Sequence, residues 1–477
     1  MDTSTKKLLS GSVVYFIGNA LTQIISLLLM RFVTGNITPE EYGFFNLIVT
    51  ISNLAIPFVT LQIADAVFKF VLKSENEQEK KEYFSICFAI SALSIALIYA
   101  IVFVISAFYS IPHTFLVATY VASYAMITVC QKMVRSLGKN KIFVTGNLIR
   151  TVIFLLLEII LISALDMGIE ALLISHIVST LFILIYTEIR VHTFRYFSFK
   201  ALNFRALRRM VRFSIPLIPN AVFWWLTSSV NSVIVSFRLG IEINGIYAVS
   251  SKFTSVLGIV TGVLNMSWQD TAIADYGAQG FSEFLTKTFN SFIKIIFSAI
   301  VVLIPFVSII LPYMIDPTYY DAIQFTPFLL LASGVSAMSG FMAQIFAGKG
   351  KTQTILITSI FGMIANILVI VAFVDKIGLW AAVFGTIAAD SVLFLVRIRL
   401  ARKEFAKGIS YGSILLLFLM IVISIFVYLN TNFVLNIIWF GISAVIALIL
   451  NRQFIKDIVS LLFGRLLKRK MTNGVSK

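Results

Sequence analysis

Charge is scarce in this chain. Asp, Glu, Lys and Arg supply only 13% of its 477 residues, about half the share of an average soluble domain. With 59% hydrophobic residues and a mean hydropathy of +0.96, no water-soluble fold could hide its apolar surface. Histidine occurs three times, as the scattered His113, His176 and His192, and the only cysteines are Cys87 and Cys130. No His/Cys/carboxylate group has metal-ligand spacing, so neither a metal nor a cofactor is expected. Both cysteines fall near helix ends expected on the cytoplasmic side, which excludes a persistent disulfide. A Gly-x-x-x-x-Gly-Lys-Ser/Thr phosphate loop and a Gly-x-Ser-x-Gly elbow are absent, so the chain is not expected to hydrolyse ATP or act as a serine hydrolase. Long polar stretches are missing too. The longest, 69–82, 191–212 and 270–288, are too small for an independent core.

What the chain does have is apolar runs of the length that crosses a bilayer, about 20 residues each. They predict an all-α membrane protein of about fourteen transmembrane helices, near 11–33, 42–66, 84–108, 113–134, 143–164, 169–190, 213–237, 245–268, 289–313, 323–346, 353–374, 378–400, 411–429 and 432–451. The first run follows Lys6 and Lys7, but it is too long for a signal peptide and no Ala-x-Ala-like site follows, so a retained helix is expected. Of the 38 Lys and Arg, only Arg31, Arg238 and Lys376 fall outside and Arg150, Lys252 and Lys294 within spans; the rest lie in the tails or in loops after even-numbered spans. The positive-inside rule then places both termini in the cytoplasm of a multi-pass cell-membrane protein. The net charge of +16 reads as topology and attraction to anionic membrane lipids, not nucleic acid.

An internal repeat organises the spans. Gly138-Lys139-Asn140-Lys141 returns 210 positions on as Gly348-Lys349-Gly350-Lys351, and Gly168-Ile169-Glu170-Ala171 as Gly378-Leu379-Trp380-Ala381. Near offset 201, Asn19-Ala20 matches Asn220-Ala221. Six spans separate the copies, so the halves run in the same direction, related by a pseudo-two-fold axis along the membrane normal. The expected domains are a six-helix bundle over 1–200, a second over 201–405, and helices 13 and 14 with a basic cytoplasmic tail over 406–477. Two bundles facing across a cavity is a transporter architecture.

Ionisable residues at bilayer depth are costly and mark cavities or partners. Arg150, Lys252 and Lys294 are the in-span bases, and Asp65, Glu158 and Asp390 are the carboxylates to consider as partners of a coupling proton or sodium ion. At 100° per residue, Asn220, Trp224, Thr227, Asn231 and Arg238 share one arc of span 7. Span 1 carries a comparable stripe of Tyr15, Asn19, Thr22 and Ser26 ending near Arg31, and span 8 carries Ser255, Gly262, Met266 and Gln269 with Lys252 at its edge. Such stripes serve either helix packing or a shared cavity. Pro57, Pro216, Pro219 and Pro305 mark expected kinks. No loop on the outer side is long enough for catalytic groups, so no enzymatic activity is expected.

Two runs carry a resemblance. Arg31 to Phe44, containing Pro39-Glu40-Glu41-Tyr42-Gly43, resembles the motif after the first span of the polysaccharide flippases in the multidrug/oligosaccharidyl-lipid/polysaccharide exporter superfamily. Asn244-Gly245-Ile246-Tyr247-Ala248-Val249-Ser250-Ser251-Lys252-Phe253, continuing to Asn265-Met266-Ser267-Trp268-Gln269, is similar to their eighth-span signature. The resemblance implies a multidrug-exporter-like (MATE-like) fold and a flippase for a polyprenyl-pyrophosphate-linked oligosaccharide, serving capsule, O-antigen or exopolysaccharide synthesis. It implies Arg31 and Lys252 as contacts for pyrophosphate or acidic sugars. Arg150, Arg238, Lys294, Asn220, Trp224, Asn231 and Gln269 are further substrate-binding candidates from the stripes and in-span bases. Implied partners are the lipid-linked oligosaccharide, a polysaccharide polymerase and glycosyltransferases. A cation-coupled multidrug exporter of the same fold and an integral-membrane glycan-modifying enzyme are the alternatives. The buried bases disfavour the first, and the missing catalytic loop disfavours the second.

Overall fold

In hydrocarbon each backbone N–H and C=O needs a partner from the protein, which for a chain this apolar leaves helices or a closed barrel. The computed structural model describes residues 23, 25–274, 276–406, 408, 411–430, 432–454 and 456, and all regular structure among them is helical. Twelve of the described helices are long and apolar enough to cross a membrane. The expected first span and the Tyr15, Asn19 and Thr22 stripe lie largely outside the described residues, and the seventh, studded with Asn, Ser and Thr, is too polar to be counted by composition. Leu93, Leu156, Leu368 and Phe426 are more than half exposed, a surface that needs lipid around it.

The chain forms two compact units, Met1–Ala248 with Val374–Leu379, and Val249–Phe373 with Trp380–Lys477. The first contains α1 (Met30–Asn36), α2 (Pro39–Val59), α3 (Ile63–Lys73), α4 (Glu77–Phe108), α5 (Thr114–Ser136), α6 (Asn140–Leu165), α7 (Ile169–Val191), α8 (Phe204–Ser214), α9 (Ile218–Arg238) and the start of α10 (Ile241–Lys252). The run expected as a single span over 42–66 is instead broken. Pro57 has no N–H to give to the preceding turn. Two residues on, α2 ends, and Leu61 and Gln62 take left-handed φ of 51° and 52° before α3 begins. The run over 245–268 is likewise interrupted, between Lys252 and Ser255.

The Pro39–Gly43 run has a structural meaning. Thr38 and Glu41 form a capping box at the start of α2, which satisfies two of its free N–H groups. Glu41 Oε1 also accepts from the Ile169 N–H at 3.3 Å, tying the start of α2 to that of α7. One turn on, α2 crosses α10 with no side chain between them. A Cβ on Gly43 would stand 1.9 Å from the Ile241 carbonyl oxygen, and one on Gly245 would stand 2.0 Å from that of Pro39. The contact is reciprocal, Pro39 and Gly43 meeting Ile241 and Gly245, as a local two-fold axis produces. Asn244, fully buried, donates to the Gly43 carbonyl at 3.0 Å and accepts from Asn46 at 3.3 Å. The two signature runs therefore pack against each other.

The second unit contains the end of α10, α11 (Ser255–Ala274), α12 (Phe281–Met314), α13 (Ala322–Gly348), α14 (Thr352–Ile377) as far as Phe373, α15 (Trp380–Leu400), α16 (Tyr411–Leu429) and α17 (Phe433–Leu450). Trp268 of the eighth-span signature stacks on Phe341 at 4.4 Å and donates to its carbonyl at 3.0 Å, joining α11 to α13. Buried Arg397 of α15 donates to the hydroxyls of Ser339, Thr358 and Ser359 and to the carbonyls of Ser339 and Ile355. The added pair, α16 and α17, is fastened to α12 and α13 by Ser424 on the Val301 carbonyl, Tyr428 on that of Ile323, and Asn451 on Ser298. At the end rich in basic loops, Lys349 and Tyr276 both bond Glu404. Burial works against it, yet these partners hold the Glu404 carboxyl below its ordinary range.

The repeat takes a slightly different register from the expected one. Gly138 (φ 70°) and Gly350 (φ 71°) end α5 and α13 with the same pair of backbone bonds. The glycine that only a left-handed turn requires is therefore Gly350 and not Gly348, two residues beyond the expected offset of 210.

Gly43→Ala and Gly245→Ala are each expected to destabilise the protein by about 1–3 kcal/mol, since the added methyl meets main chain that cannot move aside. Gly258→Ala, whose Cβ would meet nothing within 4 Å, should be neutral or stabilising by up to about 1 kcal/mol. Thermal unfolding of the three detergent-solubilised variants makes the comparison. Equal midpoints for Gly43→Ala and Gly258→Ala would show that the crossing is looser than described.

Candidate functional site

The break in the second span creates a site. After Thr60, whose hydroxyl donates to the Ile56 carbonyl at 2.7 Å, the left-handed pair turns the chain and α3 restarts with Asp65 in its first turn, where a carboxylate suits the positive end of a helix. Gln62 Nε2 donates to Asp65 Oδ2 at 2.8 Å, and Lys132 of α5 donates to Asp65 Oδ1 at 2.5 Å. Both carboxylate oxygens are thereby engaged and the charge is matched.

Beside this pair lies a cleft of about 500 Å³ lined by Gln62, Asp65, Phe68, Lys69, Leu72, Lys73, Phe213, Leu217, Asn220 and Ala221. That volume is in the range of small-molecule sites. Lys69 stands 3.7 Å from the centre of the Phe213 ring, a cation held on an aromatic face, and Lys73 is exposed one turn on. Lys132 matches Asp65, and among the described residues neither Lys69 nor Lys73 has a carboxylate in ion-pair contact, so the lining offers two ammonium groups, the amides of Gln62 and Asn220 and several apolar side chains. Chemically it can receive an anion with hydroxyl-bearing groups attached. A smaller, almost wholly apolar groove of about 240 Å³, lined by Phe58, Ile218, Pro219, Val222, Phe223 and Leu226, flanks the other side of α9.

A second polar cluster sits among α5, α6 and α7. His176, buried, lies with its ring 4.4 Å from that of Tyr120 and 5.8 Å from that of Tyr124, and its Nδ1 is 3.3 Å from Ser123 Oγ. Tyr124 donates to Asn53 Oδ1 at 2.8 Å. Arg150 of α6 stands near both tyrosines and His176.

The site residues expected from sequence are distributed as follows. Asp65 and Asn220 come together in the cleft. Arg31 is exposed on α1. Asn231, buried on α9, donates to the Tyr247 hydroxyl at 3.4 Å. Arg238 is exposed at the end of α9 and makes a two-pronged ion pair with Asp375. Trp224 is on α9 with its side chain outside the described residues, as is that of Met266 on α11. Glu158 is buried on α6. In the other unit, Lys252 and Lys294 are half-buried, Gln269 is exposed, and Asp390 is half-buried on α15 near Ser336 and Arg397. Lys69 and Lys73 escaped the sequence reading because they lie past the apolar run and look like ordinary loop charges. His176 escaped because one histidine in an apolar helix carries no signal by itself; Tyr120 and Tyr124, one turn apart on α5, were the available hint.

The Asp65–Lys132 pair is mostly shielded, with side-chain exposures of 27% and 31%. Asp65→Asn and Lys132→Gln should each destabilise the protein, and the double variant should recover roughly 1–2 kcal/mol of the summed loss. A double-mutant cycle on unfolding midpoints measures this. Strict additivity would mean the pair is not coupled.

Solved structures with this arrangement of helices are numerous. The lipid II flippase MurJ in its inward closed conformation matches with a TM-score of 0.64 and 16% identity, over 94% of this chain and 100% of that one. An inward-facing multidrug resistance MATE transporter of the MOP superfamily matches with 0.61 and 16%, over 82% and 94%. The Vibrio cholerae MATE transporter VcmN in its bent form matches with 0.51 and 15%, over 85% and 100%. These likenesses establish the fold, that of multi-pass membrane proteins. No curated protein matches the chain in sequence. Residues 8–273 match the profile of the polysaccharide biosynthesis protein family, and the chain belongs to that family.

Proposed function

We propose that this chain is a flippase, not an enzyme, that carries a polyprenyl-pyrophosphate-linked oligosaccharide from the inner to the outer leaflet of the cytoplasmic membrane for surface polysaccharide assembly. A sugar-pyrophosphate headgroup cannot enter hydrocarbon bare, because its polar groups would lose water with nothing in exchange. The observation that carries the reading is the cationic cleft at the break of the second span, in a chain of the polysaccharide biosynthesis family. Lys69 and Lys73 suit a pyrophosphate, Gln62 and Asn220 suit sugar hydroxyls, and the positive-inside rule puts this end in the cytoplasm, where such lipids are made.

In this reading the bundles over 1–200 and 201–405 alternate around a central cationic cavity, with Arg31, Arg150, Lys252 and Lys294 along the path and Asn231, Trp224 and Gln269 on its walls. Arg238 sits at the outer rim. Glu158 and Asp390 are the carboxylates for a coupling proton or sodium ion; Asp65 is already matched by Lys132. Glycosyltransferases supply the cargo and a polymerase consumes it. An exporter of organic cations, the other activity this fold suggests, needs acid in excess at its entrance, and the cleft has the opposite balance.

Deleting the gene should abolish surface polysaccharide while lipid-linked repeat units accumulate facing the cytoplasm; unchanged polysaccharide with no paralogue present overturns the proposal. Lys69→Ala with Lys73→Ala should cut transport by about tenfold or more, the worth of one charge-assisted contact to a phosphate, at an unchanged protein level. Lys252→Ala and Arg31→Ala test the path beyond the cleft in the same assay.

A further inference from the structure

Between α7 and α9 the chain carries a linker rich in basic side chains that do not line the cleft. Residues 190–217 hold Arg190, Arg195, Lys200, Arg205, Arg208, Arg209 and Arg212 and not one Asp or Glu. Four of these, Arg205, Arg208, Arg209 and Arg212, recur at i, i+3, i+4 and i+7 on α8, which puts them on one face, and all four are exposed. Like charges at that spacing destabilise a helix. Among the described residues none of the four pairs with a carboxylate. The opposite face, with Ala206 and Met210, is buried in a core shared with Tyr83, Phe84 and Val67. Arg209 also lies over the rings of Phe70 and Tyr83, at 5.8 and 5.7 Å, while the exposed stripe as a whole has no carboxylate partner among the described residues.

Aromatic residues lie beside the stripe. Phe194, Phe199 and Phe204 are 61%, 78% and 76% exposed. They are not stray side chains. Phe194 stacks on Phe88 of the spanning helix α4 at 5.0 Å, Phe197 meets Phe88 edge-on at 5.8 Å, and Phe199 meets Phe197 at 4.9 Å. This ladder starts on a membrane-crossing helix and climbs out along the linker. Exposed Phe side chains beside a run of Arg and Lys are the pattern of a segment that lies in the bilayer interface, with its rings below the headgroups and its cations among them. The linker is also held at that level from both ends. α7 crosses the membrane and ends at Val191, while α8 passes through the 3-10 turn Ile215–Leu217 directly into α9.

We propose that residues 192–214 are a docking surface for anionic phospholipid headgroups of the leaflet at this end of the spans: Phe194, Phe199 and Phe204 enter the interface, and the α8 arginines take the lipid phosphates. The stripe then receives its missing countercharge from the membrane. Because α8 continues into α9 and its Phe213 lines the cleft with Leu217 and Asn220, the lipid fixes one wall of the cleft. The docking holds whatever the cargo is.

The test uses the full-length protein with Cys87→Ala and Cys130→Ala, a nitroxide on Phe199→Cys, and nanodiscs of phosphatidylcholine alone or mixed equally with phosphatidylglycerol. Expected is an oxygen-accessible, nickel-shielded label in the mixed discs that moves toward water in phosphatidylcholine, and that shift should vanish in Arg205→Gln/Arg208→Gln/Arg212→Gln. A label in water in both discs, or a depth that ignores the arginines, overturns the proposal. If the triple variant instead loses a co-purifying acidic protein while the depth is unchanged, the stripe serves a protein partner and the proposal also fails. Native mass spectrometry of the unlabelled wild type gives an independent reading: phosphatidylglycerol should be retained about tenfold over phosphatidylcholine, consistent with several basic residues on an anionic surface, and equal retention overturns the proposal.

Discussion

At Leu61 and Gln62 the backbone of the second span leaves its helix, and everything around the candidate site answers to that departure. A turn at the end of a membrane span frees carbonyls and N–H groups that lipid cannot satisfy. Thr60 and the bond from the Gln62 N–H to the Pro57 carbonyl take up part of the debt at 3.0 Å. Asp65 settles the restarted helix, and its own charge then requires Lys132. The result is a pocket of polar and cationic groups where an unbroken helix would have presented an apolar stripe. Two left-handed, non-glycine residues in sequence are strained, and such strain is kept where the surrounding structure over-determines it.

The legible part of the sequence was its apolar periodicity. Runs expected at 113–134, 143–164 and 169–190 became Thr114–Ser136, Asn140–Leu165 and Ile169–Val191, because a bilayer-length apolar segment has few other ways to bond its backbone. Breaks were less legible. Pro57 announced a kink but not the left-handed turn at Leu61 and Gln62, beside which Asp65 meets Lys132 across 67 positions of sequence. The cleft was harder still. Asn220 was visible in a polar stripe, whereas Lys69 and Lys73 acquire their meaning only when α8, which leads into α9, packs beside α3.

Resemblance motifs also changed meaning once placed. The runs around Gly43 and Gly245 marked the family, yet what they do locally is pack helix against helix, with Glu41 capping and Asn244 bridging. A signature of this kind reports the fold. Cargo is read from groups outside it, which is why lysines with no motif behind them carry the proposed function. In the second unit Arg397 plays a comparable constructional part. Its guanidinium gathers three hydroxyls and two carbonyls from α13 and α14, a task that needs Arg's fork and that a point-like ammonium could not perform.

The crossing of α2 and α10 has an implication for how such chains can diverge. Its surfaces are main chain on both sides, so no pair of side chains can be exchanged for a larger and a smaller one to keep the fit, as happens in ordinary cores. At Gly43 and Gly245 the permitted alphabet has a single letter, and a homologue that spells either position differently must cross these helices in another way.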